Sequence, residues 1–393
     1  MLTRWPGCCA YGPHVGPAVR WGVRHEEHDH RGRLNAARQS LTRLGWGGLV
    51  IAPGADLRYL TGYPALVLER LTCLVLPAAG QPVLVVPRLE RPAALDTPAA
   101  DAEVQIVDYP DGSDPYPLLI EVLNERQAPV GIGEQTWAGH LLALQQALPG
   151  VRWRPAGEAI GPLRARKSPA EIAALAEAGA AIDAVHLRTG QWLRPGRTET
   201  EVAGDIATAM REVGHATVDF VIVAAGPNAA SPHHHTSDRV IAAGDPVVVD
   251  IGGTMTSGYC SDCTRTYLAG GRTPAGFLDY YQILQDAQRA AVAAVRPGIA
   301  AEDIDAAART PITDAGYGPA FLHRTGHGIG LDTHENPYIV TGNTEPLTEG
   351  MTFSIEPGIY HAGHHGARIE DIIVCTDTGA RRLNTTTTDL IHI

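Results

Sequence analysis

The chain has no apolar run long enough to cross a membrane. Its longest apolar stretches, such as Phe220 to Ala225 and Cys73 to Leu76, fall far below the roughly 18 residues that a span needs. No membrane partner is expected. It also lacks a basic excess: 31 Lys and Arg are scattered among 43 Asp and Glu, for a net charge of -12. That balance argues against a nucleic-acid surface, although bound metal would cancel part of the acidic surplus. Six cysteines in 393 residues are too few and too scattered for a disulfide framework. The one close pair, Cys260 and Cys263, would point to opposite faces of a strand, so a shared metal or redox role is not expected. The first 22 residues hold Arg4, two cysteines and three prolines but no continuous apolar core, which does not read as a secretory segment. The expectation is a soluble protein of the cytoplasm. Whether Met1 is the native start is left open.

What is present is an ordinary globular composition at a length that favours two or three domains with substantial cores. Residues 1–30, including His25-Glu26-Glu27-His28-Asp29-His30, lack both hydrophobic periods and read as an irregular extension, with a metal-binding His tract as the other reading. Residues 31–165 read as a small α/β domain. An amphipathic helix from Leu34 to Leu44 leads into short strands near Gly48–Ala52, Thr72–Leu76 and Val83–Val86, the last two joined by an Ala79-Gly80-Gln81-Pro82 turn. No cluster of ligand or nucleophile types falls there, so this part is expected to be structural or substrate-gating.

Residues 166–393 open on Ser168-Pro169-Ala170-Glu171, a capping Ser, Pro at the first helical position and Glu three residues on. Ile172, Leu175 and Ile182 mark the buried face of that helix, and Gly179 lies on the same side, where a neighbour can approach closely. A second helix follows Arg194-Pro195-Gly196, with Thr198 and Glu201 as a capping box, and ends near Gly214. Arg296-Pro297-Gly298 and Gly316 repeat this grammar 102 residues later, so an internal duplication is the simplest account.

In each copy the helix pair is followed by two acidic residues in strand-like segments: Asp250 and Asp262, then Glu356 and Glu370. His327 adds an imidazole between glycines. A pseudo-two-fold arrangement would bring these donors to one centre. Four carboxylates and an imidazole form a hard shell suited to Mn²⁺, Co²⁺ or Zn²⁺ and balance the charge of two divalent ions. For a carboxylate in an apolar run such as Val247 to Asp250, a plain surface role is a poor alternative, because buried charge needs a partner or a metal.

With the repeat and the five donors placed, the chain resembles the pita-bread metallopeptidases, the family that includes methionine aminopeptidase, aminopeptidase P and prolidase. The resemblance covers residues 31–393 and is nearest to the short bacterial Xaa-Pro dipeptidases. It is carried by Arg58-Tyr59-Leu60-Thr61-Gly62-Tyr63, Ser237-Asp238-Arg239, Ser261-Asp262-x-Thr264-Arg265-Thr266, His323-Arg324-Thr325-Gly326-His327-Gly328-Ile329-Gly330, His334-Glu335 and Arg368-Ile369-Glu370-Asp371. Each motif is weak alone; in order they are specific. The resemblance implies an α/β (α+β) chain: a creatinase-like N-terminal domain and a pita-bread catalytic domain with an internal pseudo-two-fold.

It implies further that Asp250 binds one ion and His327 with Glu356 the other, while Asp262 and Glu370 bridge them. His233 and His334 would be the non-ligand histidines that stabilise the oxyanion and help protonate the leaving amine. Beside His233 stand His234 and His235, so a solvated loop cluster is the competing reading. His323 is a substrate contact or a support for the His327 loop; His361, His364 and His365 read as hairpin residues. Glu356 is expected to take the proton of the nucleophile, and Arg368 to pair either with a substrate carboxylate or with an acid of the chain such as Asp371. The implied reaction, with two divalent ions and Mn²⁺ foremost, is hydrolysis of the bond before proline in a dipeptide, by a homodimer. Aminopeptidase P activity on longer peptides, a metal-free creatinase-like hydrolase and a non-catalytic peptide-binding module stand as alternatives.

Overall fold

The computed structural model describes residues 29–123 and 128–393. Most of the expected N-terminal extension lies outside the described residues. Its last two residues belong to a helix: Asp29 caps His30–Leu44 by accepting from the Gly32 amide at 2.7 Å. His30 is buried, with Nδ1 3.1 Å from the Tyr59 carbonyl oxygen. That helix therefore starts four residues before Leu34, because its first turn is fixed by a cap and a buried imidazole rather than by an apolar stripe.

The helix packs on a six-stranded sheet of β1 (Gly48–Ile51), β2 (Cys73–Pro77), β3 (Val83–Pro87), β4 (Gln105–Tyr109), β5 (Val130–Ile132) and β6 (Trp153–Pro155), in the order β4-β3-β2-β1-β5-β6. β2 and β3 pair antiparallel about the Ala79–Pro82 turn. β1, β2 and β3 are buried throughout and rich in Val, Leu and Ile, as a sheet covered on both faces requires.

Both predicted capping boxes form. The Ser168 and Thr198 side chains accept from the amides of Glu171 and Glu201, whose carboxylates accept from the cap amides in return. They start the helices Pro169–Arg188 and Glu199–Glu212. Gly196 and Gly298 in the two RPG turns have φ of 92° and 87°, a region that favours glycine. At Gly179 an added Cβ would lie 2.7 Å from the Leu383 carbonyl oxygen, the close approach expected there.

Two sheets follow the helix pairs. β7 (His215–Ala225), β8 (Asp245–Met255) and β9 (Cys260–Ala269) pair antiparallel, with β17 (Ile391–His392) added at the β9 edge. The second copy supplies the helices Phe277–Ala294 and Ala301–Asp314 and the strands β10 (Gly326–Gly328), β11 (Glu335–Ile339), β12 (Thr352–Ile355), β15 (Asp371–Thr376) and β16 (Gly379–Arg382) in the order β11-β10-β12-β15-β16. β13 (Gly358–His361) and β14 (His365–Arg368) form a separate hairpin. The halves meet along the Thr264-Arg265-Thr266 segment. The Glu370 amide donates to the Thr264 carbonyl at 3.1 Å, and Thr266 Oγ1 donates to the Arg368 carbonyl at 2.8 Å. Arg265, 1% exposed, pairs with fully buried Asp371 at 2.7 Å. Cys260 and Cys263 are free and buried in different apolar clusters.

Candidate metal centre

Across β8 and β9, Asp250 faces Thr264 and Gly252 faces Asp262. Side chains two apart share a face, so both aspartates project from the same side of the pair as diagonal neighbours. In the other half Ile355 of β12 faces Asp371 of β15. The ladder ends there, so Glu356 directly follows β12 and Glu370 directly precedes β15. His327 is the middle residue of β10, which is held between β11 and β12. A Cβ on Gly326 would strike the Ser354 carbonyl oxygen and one on Gly328 the Asn336 carbonyl oxygen, so the glycines beside His327 are what let this strand fit.

The five sequence-predicted donors converge on one cavity of about 270 Å³, which His233, His323, Arg324, His334 and Arg368 also line. One ligand atom each from Asp262, His327 and Glu370 lie within 4.8 Å of one another. His327 Nε2 stands 3.3 Å from Glu356 Oε1 and 3.7 Å from Asp262 Oδ2, while Nδ1 is 3.2 Å from the Gly328 carbonyl oxygen. A carbonyl can only accept, so Nδ1 carries a hydrogen, and Nε2 is the ring atom turned toward the carboxylates. A ring nitrogen and two carboxylates brought this close suit a cation between them, whether a proton or a metal ion.

The carboxylates say the same. Asp250 Oδ1 and Glu370 Oε1 are buried without a hydrogen-bond partner among the described residues. Burial, followed by the neighbouring carboxylates, pushes Asp262 and Glu370 well above the ordinary carboxylate range. Glu356 is also buried, yet the hydrogen bond and charge of His327 hold it below that range. This donor set fits divalent metal ions: orphaned oxygens gain a partner and mutual repulsion is relieved.

Arg368 is 2% exposed and engaged on every side. It donates to Asp250 Oδ2 at 2.6 Å, to the Tyr360 hydroxyl at 2.8 Å, to Thr264 Oγ1 at 3.2 Å and to the Pro232 carbonyl at 3.3 Å. Of the two partners read from sequence the structure shows the acid, and that acid is Asp250; Asp371 is taken by Arg265 and Arg382. His323 has both nitrogens occupied, Nδ1 donating to the Arg324 carbonyl at 2.7 Å and Nε2 facing the Tyr360 hydroxyl at 2.8 Å. Tyr360 thus accepts from Arg368 and donates to His323, a link that sequence did not single out, since nothing in a short Gly-Ile-Tyr strand marks it.

The His334 ring meets that of His327 edge-on, with centroids 4.1 Å apart. Burial, His327 and Arg324 lower its pKa to about 4, so it is neutral at pH 7. His233 lines the same cavity, whereas His234 turns away to Glu199 at 2.9 Å. His361 and His365 face each other on the β13–β14 hairpin, where His365 Nδ1 lies 2.9 Å from the Tyr280 hydroxyl, outside the cavity lining. Arg324 also lines the cavity, its guanidinium 4.5 Å from the centre of the Tyr338 ring. Among the described residues that guanidinium has no hydrogen bond or ion pair.

Residues 173–377 match the profile of metallopeptidase family M24, and residues 33–166 that of the Creatinase/Prolidase N-terminal domain. A relative from Mycobacterium tuberculosis named "Probable dipeptidase PepE" is 50% identical over 361 residues, 92% of this chain and 96% of the relative. The "Xaa-Pro dipeptidase" of Lactobacillus helveticus is 36% identical over 347 residues, 85% of this chain and 91% of that one. The crystal structure of dipeptidase PepE from Mycobacterium ulcerans superposes with a TM-score of 0.88 at 52% identity, covering 92% of this chain and 97% of the other.

Proposed function

Because the chain belongs to metallopeptidase family M24, we propose that it hydrolyses the Xaa-Pro bond of dipeptides with Asp250, Asp262, His327, Glu356 and Glu370 as the ligands of two divalent ions. The observation that carries this reading is the buried convergence of four carboxylates and one imidazole, with two carboxylate oxygens left without partners among the described residues. The oxygen-rich shell favours Mn²⁺, with Co²⁺ or Zn²⁺ as substitutes. A homodimer is proposed on the family resemblance alone, and the cytoplasm as its default location.

Two ions held there would acidify water and polarise the scissile carbonyl. The bond before proline is a tertiary amide without an N–H, so the site must reach it without that backbone donor. Glu356, whose carboxyl lies below the ordinary range, accepts the proton of the attacking water and passes it to the prolyl nitrogen as the bond breaks. Neutral His334 offers one ring N–H to the carbonyl oxygen as negative charge builds on it, and His233 approaches from the opposite loop. Arg368, Tyr360 and His323 hold one another and Asp250 in place. The substrate's C-terminal carboxylate is then left to Arg324, the other guanidinium on the cavity wall, whose planar fork suits a carboxylate.

The deciding assay follows free alanine released from Ala-Pro and from Ala-Pro-Ala by the Mn²⁺-loaded enzyme. Faster turnover of Ala-Pro bears the dipeptidase out, and preference for the tripeptide turns the assignment to aminopeptidase P. Release from neither, with metal bound, turns it to a peptide-binding module.

A further inference from the structure

We propose that the buried carboxylate of Glu199, acting through His234, positions the loop that carries His233 into the catalytic cavity. This inference rests on the role given to His233 above. Glu199 is the first residue of the helix Glu199–Glu212 and is 0% exposed. It accepts from the Ala225 amide at 2.8 Å, Asn228 Nδ2 at 2.9 Å, His234 Nε2 at 2.9 Å, and Ser237 Oγ and N at 2.7 and 3.1 Å. Those donors bracket His233 on both sides in the chain.

The His233 imidazole has no hydrogen bond of its own among the described residues, so its place in the cavity is set by the backbone on which it stands. That backbone is gripped twice. Glu199 holds its outer side, and on the cavity side Arg368 donates to the Pro232 carbonyl at 3.3 Å. Burial opposes ionisation of Glu199, but the bonds from Ala225, Ser237, Asn228 and His234 outweigh it and keep the carboxyl below its ordinary range. An ionised, fully satisfied acceptor makes a stiff anchor.

The other half of the molecule repeats the device. Asp305, 0% exposed in the helix Ala301–Asp314, accepts from Thr325 Oγ1 and N at 2.7 and 3.2 Å and from Thr341 Oγ1 at 2.7 Å. Thr325 stands two residues before His327. In each half, then, a buried acid on the second helix fixes the segment that brings a histidine to the centre. His234 is accordingly a positioning residue, which separates it from His233 in a run of three histidines.

The test is a double-mutant cycle on Ala-Pro with metal content measured for every variant. His234→Leu and Glu199→Gln each lower kcat on the order of tenfold, the usual cost of losing a supporting contact around a metal site, with KM and bound metal near wild type. His234→Gln, which restores a donor, recovers most of the loss. In a His233→Ala background, His234→Leu lowers kcat by less than about twofold, because its effect runs through a side chain already gone. A full further loss in that background, or wild-type kcat for His234→Leu alone, overturns the inference while leaving His233 its role. Wild-type kcat for His233→Ala overturns that role and the inference with it. Should Glu199→Gln fail to fold, His234→Leu and Ser237→Ala decide the matter.

Discussion

Arg324 and Arg368 carry the same planar fork, but their surroundings divide the work. Arg368 is closed in by Asp250, Tyr360, Thr264 and Pro232, whereas Arg324 rests on the Tyr338 ring with its donors free among the described residues. Replacing Arg324 by Met is expected to raise KM for Ala-Pro roughly ten- to a hundredfold, the size of a lost charged hydrogen bond, and to leave KM for Ala-Pro-amide nearly unchanged. Initial-rate kinetics on the two substrates check this, and equal losses on both would remove Arg324 from the carboxylate. Arg368→Met should act differently: it removes the donor that orients Asp250, so metal affinity falls about 10- to 100-fold on a calorimetric titration. The residue types of the site were legible in the sequence because metal chemistry restricts them to a few donors. Pairings were not. Arg368 and Asp250 lie 118 residues apart and His323 and Tyr360 lie 37 apart, and a single chain offers no local signal for a contact of that kind.

Helix starts were the most legible elements, since a capping box is a contact between residues three apart and Ser168 and Thr198 both make one. The helix at His30 begins four residues before its apolar stripe at Leu34 for the converse reason: Asp29 caps it from within a polar, histidine-rich run that shows no apolar period. The helix Ala301–Asp314 carries the anchor Asp305, whose carboxyl lies below its ordinary value although burial opposes this, because Arg309, Thr325 and Thr341 donate to it. The folded group therefore binds its proton less readily than the unfolded group does. Its contribution to stability is full above about pH 3.8 and is lost as pH falls through the lower folded value. Asp305→Asn is expected to be less stable than wild type by roughly 1–3 kcal/mol at pH 7, with the gap closing below pH 3.8. Denaturant midpoints at pH 7 and pH 3 test this; a gap that persists at low pH would contradict the role of the ionised carboxylate.

At the scale of the whole molecule, the helices of the N-terminal part reach the centre through ion pairs. Arg164, in the helix Gly157–Ala165, donates to Asp56 at 2.7 Å, to Asp332 at 2.8 Å and to Glu335, and Lys167, the chain's one lysine, pairs with Glu335 at 2.6 Å. Asp332 and Glu335 flank His334, so the two parts of the chain share the segment that carries this histidine. Arg164→Met leaves Asp56 and Asp332 without their cation and Glu335 with Lys167 alone, and is expected to lower stability by about 3 kcal/mol and kcat together with it, read by thermal unfolding and by hydrolysis of Ala-Pro. An unchanged kcat would confine Arg164 to stability. The duplication is visible in sequence as repeated RPG turns, but the contact of the N-terminal helices with the His334 segment is not, because it rests on charges far apart in the chain. The central claim is that the buried acids do their work as a metal site. It is tested most directly by adding Mn²⁺ stepwise to the stripped protein and following Ala-Pro hydrolysis: activity is predicted to be absent at first and to rise to a plateau at about two equivalents, whereas full activity in the stripped protein would contradict the account.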